Sequence, residues 1–223
     1  QQVLRILFSE REVIVGVGLH NSSSALIPYL KNFNDSFILI STGTWCITLN
    51  PFNNNPLTSD ELKADCLCYF AYNGDPIKAS RIFAGKDHEF ATKKLAAYFN
   101  KPLDYFTTIR FDPEIYSQLR RRNYPLTYLK NKNTEYFLSF FDRPISSFKN
   151  YEEGYHQLMY DIVVHQAKSS QFVIKGTPVK RIFVDGGFSK NNVYMFLLAA
   201  AFPEMEVFSS SLAQASATGA ALA

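Results

Sequence analysis

The chain is poor in the features that mark several large classes of protein. Its three cysteines are an odd number without framework spacing, which argues against a secreted disulfide scaffold. No apolar run approaches the length of a membrane span and no secretion signal is visible, so we expect a cytoplasmic protein without a membrane partner. The net charge of +3 is too small to indicate nucleic acid by itself.

Metal-binding patterns are also missing from the sequence, and we assign no metal ligand. Cys66 and Cys68 are separated by one residue, whereas zinc and thioredoxin motifs place two residues between their cysteines. We interpret both as buried free thiols on one face of a strand. His88-Glu89 lacks the second histidine of a zincin helix.

Apolar and aromatic residues are abundant instead. Hydrophobic residues make up 47% of the 223-residue chain and charged residues 19%, which indicates a packed core and excludes disorder. This length fits one large domain, or one domain with a fragment of another.

The most informative segment is Ser41-Thr42-Gly43-Thr44-Trp45, which follows the apolar run 37–40. The run predicts a strand that ends in a small, hydroxyl-rich turn, from which a second strand leaves. Glycine allows close backbone approach, and the threonines add hydroxyl and amide donors that suit phosphate oxygens. An ordinary polar hairpin turn is the alternative interpretation.

A second segment, Lys180–Asn192, predicts a strand, a glycine pair and the start of a helix. Ser189 is the predicted N-cap, and a helix N-terminus suits an anionic or nucleotide ligand. The alternative is a strand-to-helix turn that serves only the fold.

Four segments in this order resemble the C-terminal, nucleotide-binding half of carbohydrate kinases of the FGGY family, in wording closest to rhamnulokinase-like and pentulose-kinase-like members. Gly18–Ala25 is similar to the segment with the catalytic base, and Ser41–Trp45 to the second phosphate motif. Asp185–Asn191 is similar to the adenosine motif, and Ala215–Ala221 to the closing helix of small residues.

The resemblance implies transfer of a phosphoryl group from ATP to the hydroxyl of a ketose such as rhamnulose, xylulose or ribulose, with Mg²⁺. Thr42, Gly43 and Thr44 would hold the β- and γ-phosphates. The glycine pair would leave room for the adenosine, with Asn191, or less favourably Asn192, beside the adenine. The predicted cofactor-binding residues are Thr42, Gly43, Thr44, Gly186, Gly187, Asn191 and Gln214.

Asn21 departs from the family pattern, which has an aspartate as catalytic base at this position. An amide can accept a hydrogen bond but is no usable base at neutral pH, and losing a general base costs about 10²–10⁴ in rate. Because neighbouring side chains of a strand alternate, we expect His20 to point away from the site. An active relative with a shifted mechanism, a catalytically impaired regulatory protein and a filament-forming actin-like ATPase stay open as alternatives.

The implied fold is α/β, ribonuclease-H-like (the actin-like ATPase fold), with a mixed sheet and flanking helices. We expect residues 1–35 to be the tail of a first, sugar-binding domain with its hinge, and residues 36–223 to be the nucleotide-binding domain. The chain would then be a piece of a longer kinase with a small sugar and ATP as ligands, and a homodimer is left open. The activity of the piece alone is doubtful, since half of the phosphate clamp would be missing.

The pattern also predicts individual elements. Residues 37–49 and 66–72 form three successive antiparallel strands, and helices cover 87–100 and 151–169, the second opened by a capping box from Asn150. Pro28 is tolerated only in the first turn of a helix over 22–30. The basic run Arg120–Arg122, with Lys130 and Lys132 beyond it, indicates a solvated surface rather than a site for single-stranded nucleic acid.

Overall fold

A six-stranded mixed sheet forms the centre of the computed structural model, which describes residues 4–8, 11–15, 18–123, 126, 139–210 and 215–222. The strands lie in the order β5-β6-β4-β3-β7-β8; β3–β7 and β7–β8 pair in parallel and the remaining neighbours antiparallel. A separate antiparallel pair, β1–β2, precedes it. The strands are β1 (Leu4–Phe8), β2 (Arg11–Val15), β3 (Phe37–Thr42), β4 (Cys46–Asn50), β5 (Cys66–Phe70), β6 (Pro76–Ile82), β7 (Arg181–Gly186) and β8 (Glu206–Ser209).

Helices cover both faces of the sheet. They are α1 (Asn21–Asn32), α2 (Ser59–Lys63), α3 (Ala84–Tyr98), α4 (Pro113–Arg122), α5 (Tyr151–Ile174), α6 (Asn192–Ala201) and α7 (Ala215–Leu222). In β3, Ile38 and Ile40 join the core under α3, α5 and α6, whereas Phe37 and Leu39 join the core under α1. This alternation explains why β3 is apolar throughout residues 37–40: a central strand is buried on both faces. None of the described helices is long and apolar enough to cross a bilayer.

The strand order corrects one prediction. Residues 66–70 do form a strand, but it lies at the edge of the sheet, and β6 is inserted between it and β4. The sequence pattern predicts no strand over residues 76–82. In β6 the four consecutive residues 77–80 are all buried, so buried and exposed positions do not alternate along it. The turn at 73–75 reverses the chain, and it is the returning strand that pairs with β4.

Two smaller predictions are also corrected at this edge and at α5. Cys66 is buried, but Cys68 is exposed. Strand β5 lies at the edge of the sheet, and its neighbours do not cover it along its whole length.

Asn150 caps α5 by accepting from the Glu153 amide at 2.9 Å. The Glu153 carboxylate, however, accepts from the Lys149 amide at 2.9 Å and pairs with Arg122 at 2.7 Å, so the reciprocal half of the capping box is not formed.

The basic run is a surface feature where the structure describes it. Arg120 and Arg121 are exposed in the last turn of α4, where positive side chains interact favourably with the helix dipole. Arg122 is paired with Glu153. Lys130 and Lys132 lie outside the described residues.

Helix α1 packs on the sheet beside β3. Leu26 and Tyr29 are buried, and the Tyr29 ring lies 5.1 Å from the ring of Phe183, measured between centroids. These residues therefore contact the sheet of the predicted nucleotide-binding domain. The domain boundary at residue 35 stays a prediction.

Pro28 lies in the interior of α1, so the expectation that a proline is tolerated only in the first turn is wrong here. Proline has no amide N–H, so the carbonyl of Ser24, four residues earlier, lacks its usual helical donor. Helix α7 crosses at this carbonyl: a Cβ on Gly219 would lie 1.7 Å from the Ser24 oxygen. The Ser24 hydroxyl also donates to the Ser216 carbonyl at 2.8 Å. Pro28 and Gly219 thus bring the backbones of α1 and α7 into direct contact.

We expect Gly219→Ala to destabilise the protein by about 1–3 kcal/mol, because the new methyl group overlaps the Ser24 carbonyl and separates the two helices. Helix propensity alone predicts the opposite sign, a gain of about 0.5–1 kcal/mol. Urea unfolding measures the difference, with Gly18→Ala as control, since nothing lies within 4 Å of a Cβ at Gly18. An unchanged or increased stability of Gly219→Ala would contradict the close contact.

Candidate functional site

The turn between β3 and β4 is closed by the Gly43 amide, which donates to the Trp45 carbonyl at 2.9 Å. Gly85, at the start of α3, packs directly on this turn: its amide donates to the Thr44 carbonyl at 3.2 Å. A Cβ on Gly85 would lie 1.9 Å from the Gly43 oxygen. The sequence analysis did not identify Gly85, which supports the turn from a distant element.

Thr42 has a different role from the one predicted. Its side chain is buried, and its hydroxyl donates to the Asp185 carbonyl at 2.5 Å and accepts from the Phe188 amide at 3.0 Å. Both capacities of the hydroxyl are therefore used inside the protein. Thr42 ties the end of β3 to the loop after β7 and is not free to bind a phosphate through its hydroxyl.

Thr44 keeps its donors free. It is exposed in the turn, and neither its hydroxyl nor its amide N–H has a partner among the described residues. A hydroxyl and an amide at an exposed turn are suitable donors for phosphate oxygens. Of the two threonines, Thr44 is the one that can contact a ligand.

The backbone geometry at position 186 requires a glycine. Its φ of +85° lies in the region that favours glycine, and a Cβ there would lie 1.8 Å from the Thr42 carbonyl oxygen. The parallel pairing of β3 and β7 places Thr42 opposite Gly186. The two glycine-bearing segments, more than a hundred residues apart in sequence, thus end side by side.

His20 and Asn21 both lie at the start of α1. His20 is the N-cap, and its Nδ1 accepts from the Ser22 amide at 3.2 Å; Asn21 Oδ1 accepts from the same amide at 2.8 Å. The expectation that His20 points away from the site is wrong, because the pair is not in a strand. With Nδ1 as acceptor, the neutral ring carries its proton on Nε2 and is a donor there, not a base.

A cavity of about 500 Å³ brings these elements together. Residues from all four predicted motifs line it: the start of α1, the β3–β4 turn, the end of β7 and the start of α7. Its lining consists of His20, Asn21, Ser22, Ser41, Thr42, Gly43, Thr44, Trp45, Ile47, Asp185, Gly186 and Ser216.

Asp185 is the carboxylate in this lining. It is half-buried at the end of β7, and burial raises the pKa of its carboxyl group, opposed by the hydrogen bond from the Gly186 amide. The sequence analysis quoted Asp185 as part of a motif without assigning it a role. Within the described residues no cluster of three or more His, Cys, Asp or Glu side chains suits a metal ion.

The remaining predicted residues do not line this cavity. Gly187 is exposed next to it, and Gln214 lies outside the described residues. Asn191, not Ser189, is the N-cap of α6: its Oδ1 accepts from the Tyr194 amide at 3.1 Å. Asn192 accepts from the Phe111 amide at 2.7 Å.

The amide group of Asn191 is the first member of a chain of buried and partly buried hydrogen bonds. Its Nδ2 donates to the Tyr155 hydroxyl at 2.6 Å, and that hydroxyl lies 3.1 Å from His88 Nε2. A neutral imidazole can accept the hydroxyl proton at Nε2. Burial lowers the pKa of His88 to about 4.

A second cavity of about 310 Å³ lies on the other side of Trp45. The Arg81 guanidinium stacks over the Trp45 ring, 4.6 Å from its centre, and Phe83 packs against the same ring. Asp87, Asp161 and His165 line the far wall. Trp45 lines both cavities, and among the described residues it is the one that their linings share.

The chain has the ribonuclease-H-like, actin-like ATPase fold that was predicted, and solved sugar kinases share it. A carbohydrate kinase from Novosphingobium aromaticivorans superposes with a TM-score of 0.61 at 18% identity, covering 94% of this chain and 44% of that chain. A ligand-bound xylulose kinase from Lactobacillus acidophilus gives 0.64 at 16%, covering 96% and 42%. Glycerol kinase from Plasmodium falciparum, with ADP, gives 0.54 at 15%, covering 91% and 40%.

The predicted resemblance to carbohydrate kinases is thus confirmed at the level of the fold. The chain spans less than half the length of these three structures. No protein-family model and no curated protein matches the sequence.

The buried imidazole of His88 generates a prediction about the pH dependence of stability. The folded state holds His88 neutral down to about pH 4, whereas the unfolded chain binds the proton near the ordinary pKa of 6.5. The folded state therefore binds fewer protons, so this contribution to stability is complete above pH 6.5 and is lost as the pH falls towards 4. The total is on the order of 3 kcal/mol.

Urea unfolding at pH 7 and pH 4.5, for the wild type and His88→Gln, measures this effect. We expect the wild type to lose more stability over this range than the variant, which has no imidazole to protonate. Equal losses in the two proteins would show that His88 is not the titrating group.

Proposed function

We propose that this chain is the nucleotide-binding half of an ATP-dependent carbohydrate kinase of the FGGY type. The observation that supports it is the shared cavity: four segments, predicted separately from the sequence, line one space of about 500 Å³ at the carboxyl ends of β3 and β7. In open α/β sheets ligands bind outside the carboxyl ends of strands. The fold shared with solved sugar kinases agrees with this proposal.

Different residues of the cavity would make different contributions to binding a triphosphate. Thr44 offers its free hydroxyl and amide to phosphate oxygens, and Gly43 lets the backbone come close. Thr42 positions the loop 185–188 through its buried hydroxyl. Gly186 and Gly187 leave space for the adenosine beyond that loop, with Asn191 at its far side.

Oxygen donors in the cavity fit Mg²⁺, the ion that accompanies ATP. The Asp185 carboxylate, the Thr44 hydroxyl and the Asn21 amide oxygen are hard ligands of the kind that Mg²⁺ prefers. When bound, the ion neutralises charge on the phosphate oxygens during transfer. A ketose such as xylulose, ribulose or rhamnulose is the proposed acceptor, held against residues of a first domain to which 1–35 would belong.

Thr44→Val tests the phosphate contact. Removing a hydroxyl that donates to a charged oxygen costs about 1.5–3 kcal/mol, so we expect binding of a non-hydrolysable ATP analogue with Mg²⁺ to weaken tenfold or more. Calorimetry on the purified protein measures it. Thr107→Val, at an exposed threonine outside the cavity lining, is the matched control and should bind like the wild type. If the wild type shows no nucleotide binding at all, the proposed function is rejected.

A second candidate function follows from Asn21, which lines the cavity where the family has its base. A protein with this residue can bind nucleotide or sugar as a regulator while its turnover is low. Among the other described lining residues, Asp185 is the one carboxylate, and it lies at the end of β7 and not at the start of α1.

Asn21→Asp discriminates between the two functions. If the chain is part of an impaired kinase, the restored carboxylate accepts the sugar hydroxyl proton, and ketose-dependent ADP release rises by about 10²-fold or more. The assay uses the complete gene product, with Asn21→Ala as the control that restores no base. No gain from the aspartate favours the regulatory protein.

A further inference from the structure

The charge of the cavity is unusual for a site that is to hold a triphosphate. Its lining contains one carboxylate, Asp185, and no lysine or arginine among the described residues. A triphosphate carries several negative charges, and the lining offers only neutral donors to balance them. Within this described lining, the positive charge would come from a cation that arrives with the nucleotide.

Asp185 is held in a fixed position in this lining. Its backbone carbonyl accepts the Thr42 hydroxyl at 2.5 Å, and β7 pairs with β3 up to Gly186. Its carboxylate has no ion-pair partner in the part of the chain that the structure describes. The most buried carboxylates elsewhere have one: Asp161 pairs with Arg143 and Glu153 with Arg122.

We propose that Asp185 is the protein ligand of the divalent cation in a metal–nucleotide complex bound in this cavity. The inference rests on the proposed function and deepens it. Mg²⁺ in nucleotide sites is held by one or two carboxylates together with substrate phosphates and water, so a single carboxylate is sufficient. The Thr42 hydroxyl bond fixes the backbone of this ligand, and Gly186 packs directly against the Thr42 carbonyl beside it.

The proposal makes two predictions of opposite sign for Asp185→Asn. With a metal, the variant loses an anionic ligand, so its affinity for Mn²⁺ with the non-hydrolysable analogue AMP-PNP falls tenfold or more. Without a metal, the variant removes a negative charge that repels the phosphates, so AMP-PNP binds at least as tightly as to the wild type. A merely misfolded variant weakens both.

Electron paramagnetic resonance of free Mn²⁺ measures the first affinity, and calorimetry in EDTA measures the second, on the complete protein. Asp87→Asn is the matched control, because Asp87 is a carboxylate that lines the other cavity. We expect it to leave both affinities unchanged.

The other outcomes are each decisive. If Asp185→Asn keeps the wild-type Mn²⁺ affinity, Asp185 is not the metal ligand, although the nucleotide site stands. If it weakens both affinities equally, Asp185 only maintains the shape of the loop, and the inference is also overturned. If the wild type binds AMP-PNP in neither condition, the proposed function itself fails and the inference fails with it.

Discussion

The candidate site depends on the parallel pairing of β3 with β7. This pairing brings Thr42 opposite Gly186 and so joins two segments that are far apart in the chain. The Thr42 hydroxyl then bonds the Asp185 carbonyl and the Phe188 amide, which fixes the second loop relative to the first. The bond from the Phe188 amide is buried and the bond to the Asp185 carbonyl is partly buried; a buried backbone group left unsatisfied would cost about 1–3 kcal/mol. A small buried hydroxyl is therefore the link between the two halves of the cavity wall.

Direct contact between backbones is the second constraint. Gly85 lies against the Gly43 carbonyl, Gly186 against the Thr42 carbonyl and Gly219 against the Ser24 carbonyl, each with no room for a Cβ. These three contacts involve five segments: the start of α3, the β3–β4 turn, the end of β7, and helices α1 and α7. Glycine is needed at these three positions because it has no side chain. Of the three, Gly186 also has a positive φ, which favours glycine.

The cavity wall consists mainly of neutral hydrogen-bond donors. Thr44 presents an unpaired hydroxyl and amide, and the His20 ring presents a donor because its other nitrogen caps α1. Under the proposed function, such a wall would suit a ligand that carries oxygen acceptors and its own counter-cation. Asn21 could accept a hydrogen bond there but is no usable base, so binding and turnover would depend on different residues.

Local pattern determined the strands at 37–42 and 181–186 and the helix capped by Asn150, because apolar runs, glycines and caps act within a few positions. The fold class and the set of four segments that meet at the cavity were implied by the resemblance to carbohydrate kinases. Only the tertiary structure decided that β6 lies between β4 and β5, that Thr42 faces inward while Thr44 is free, and that Gly85 and Asp185 belong to the site. Pairing partners and hydrogen-bond partners lie many residues away, and no local pattern specifies which backbone will occupy the space beside a given side chain.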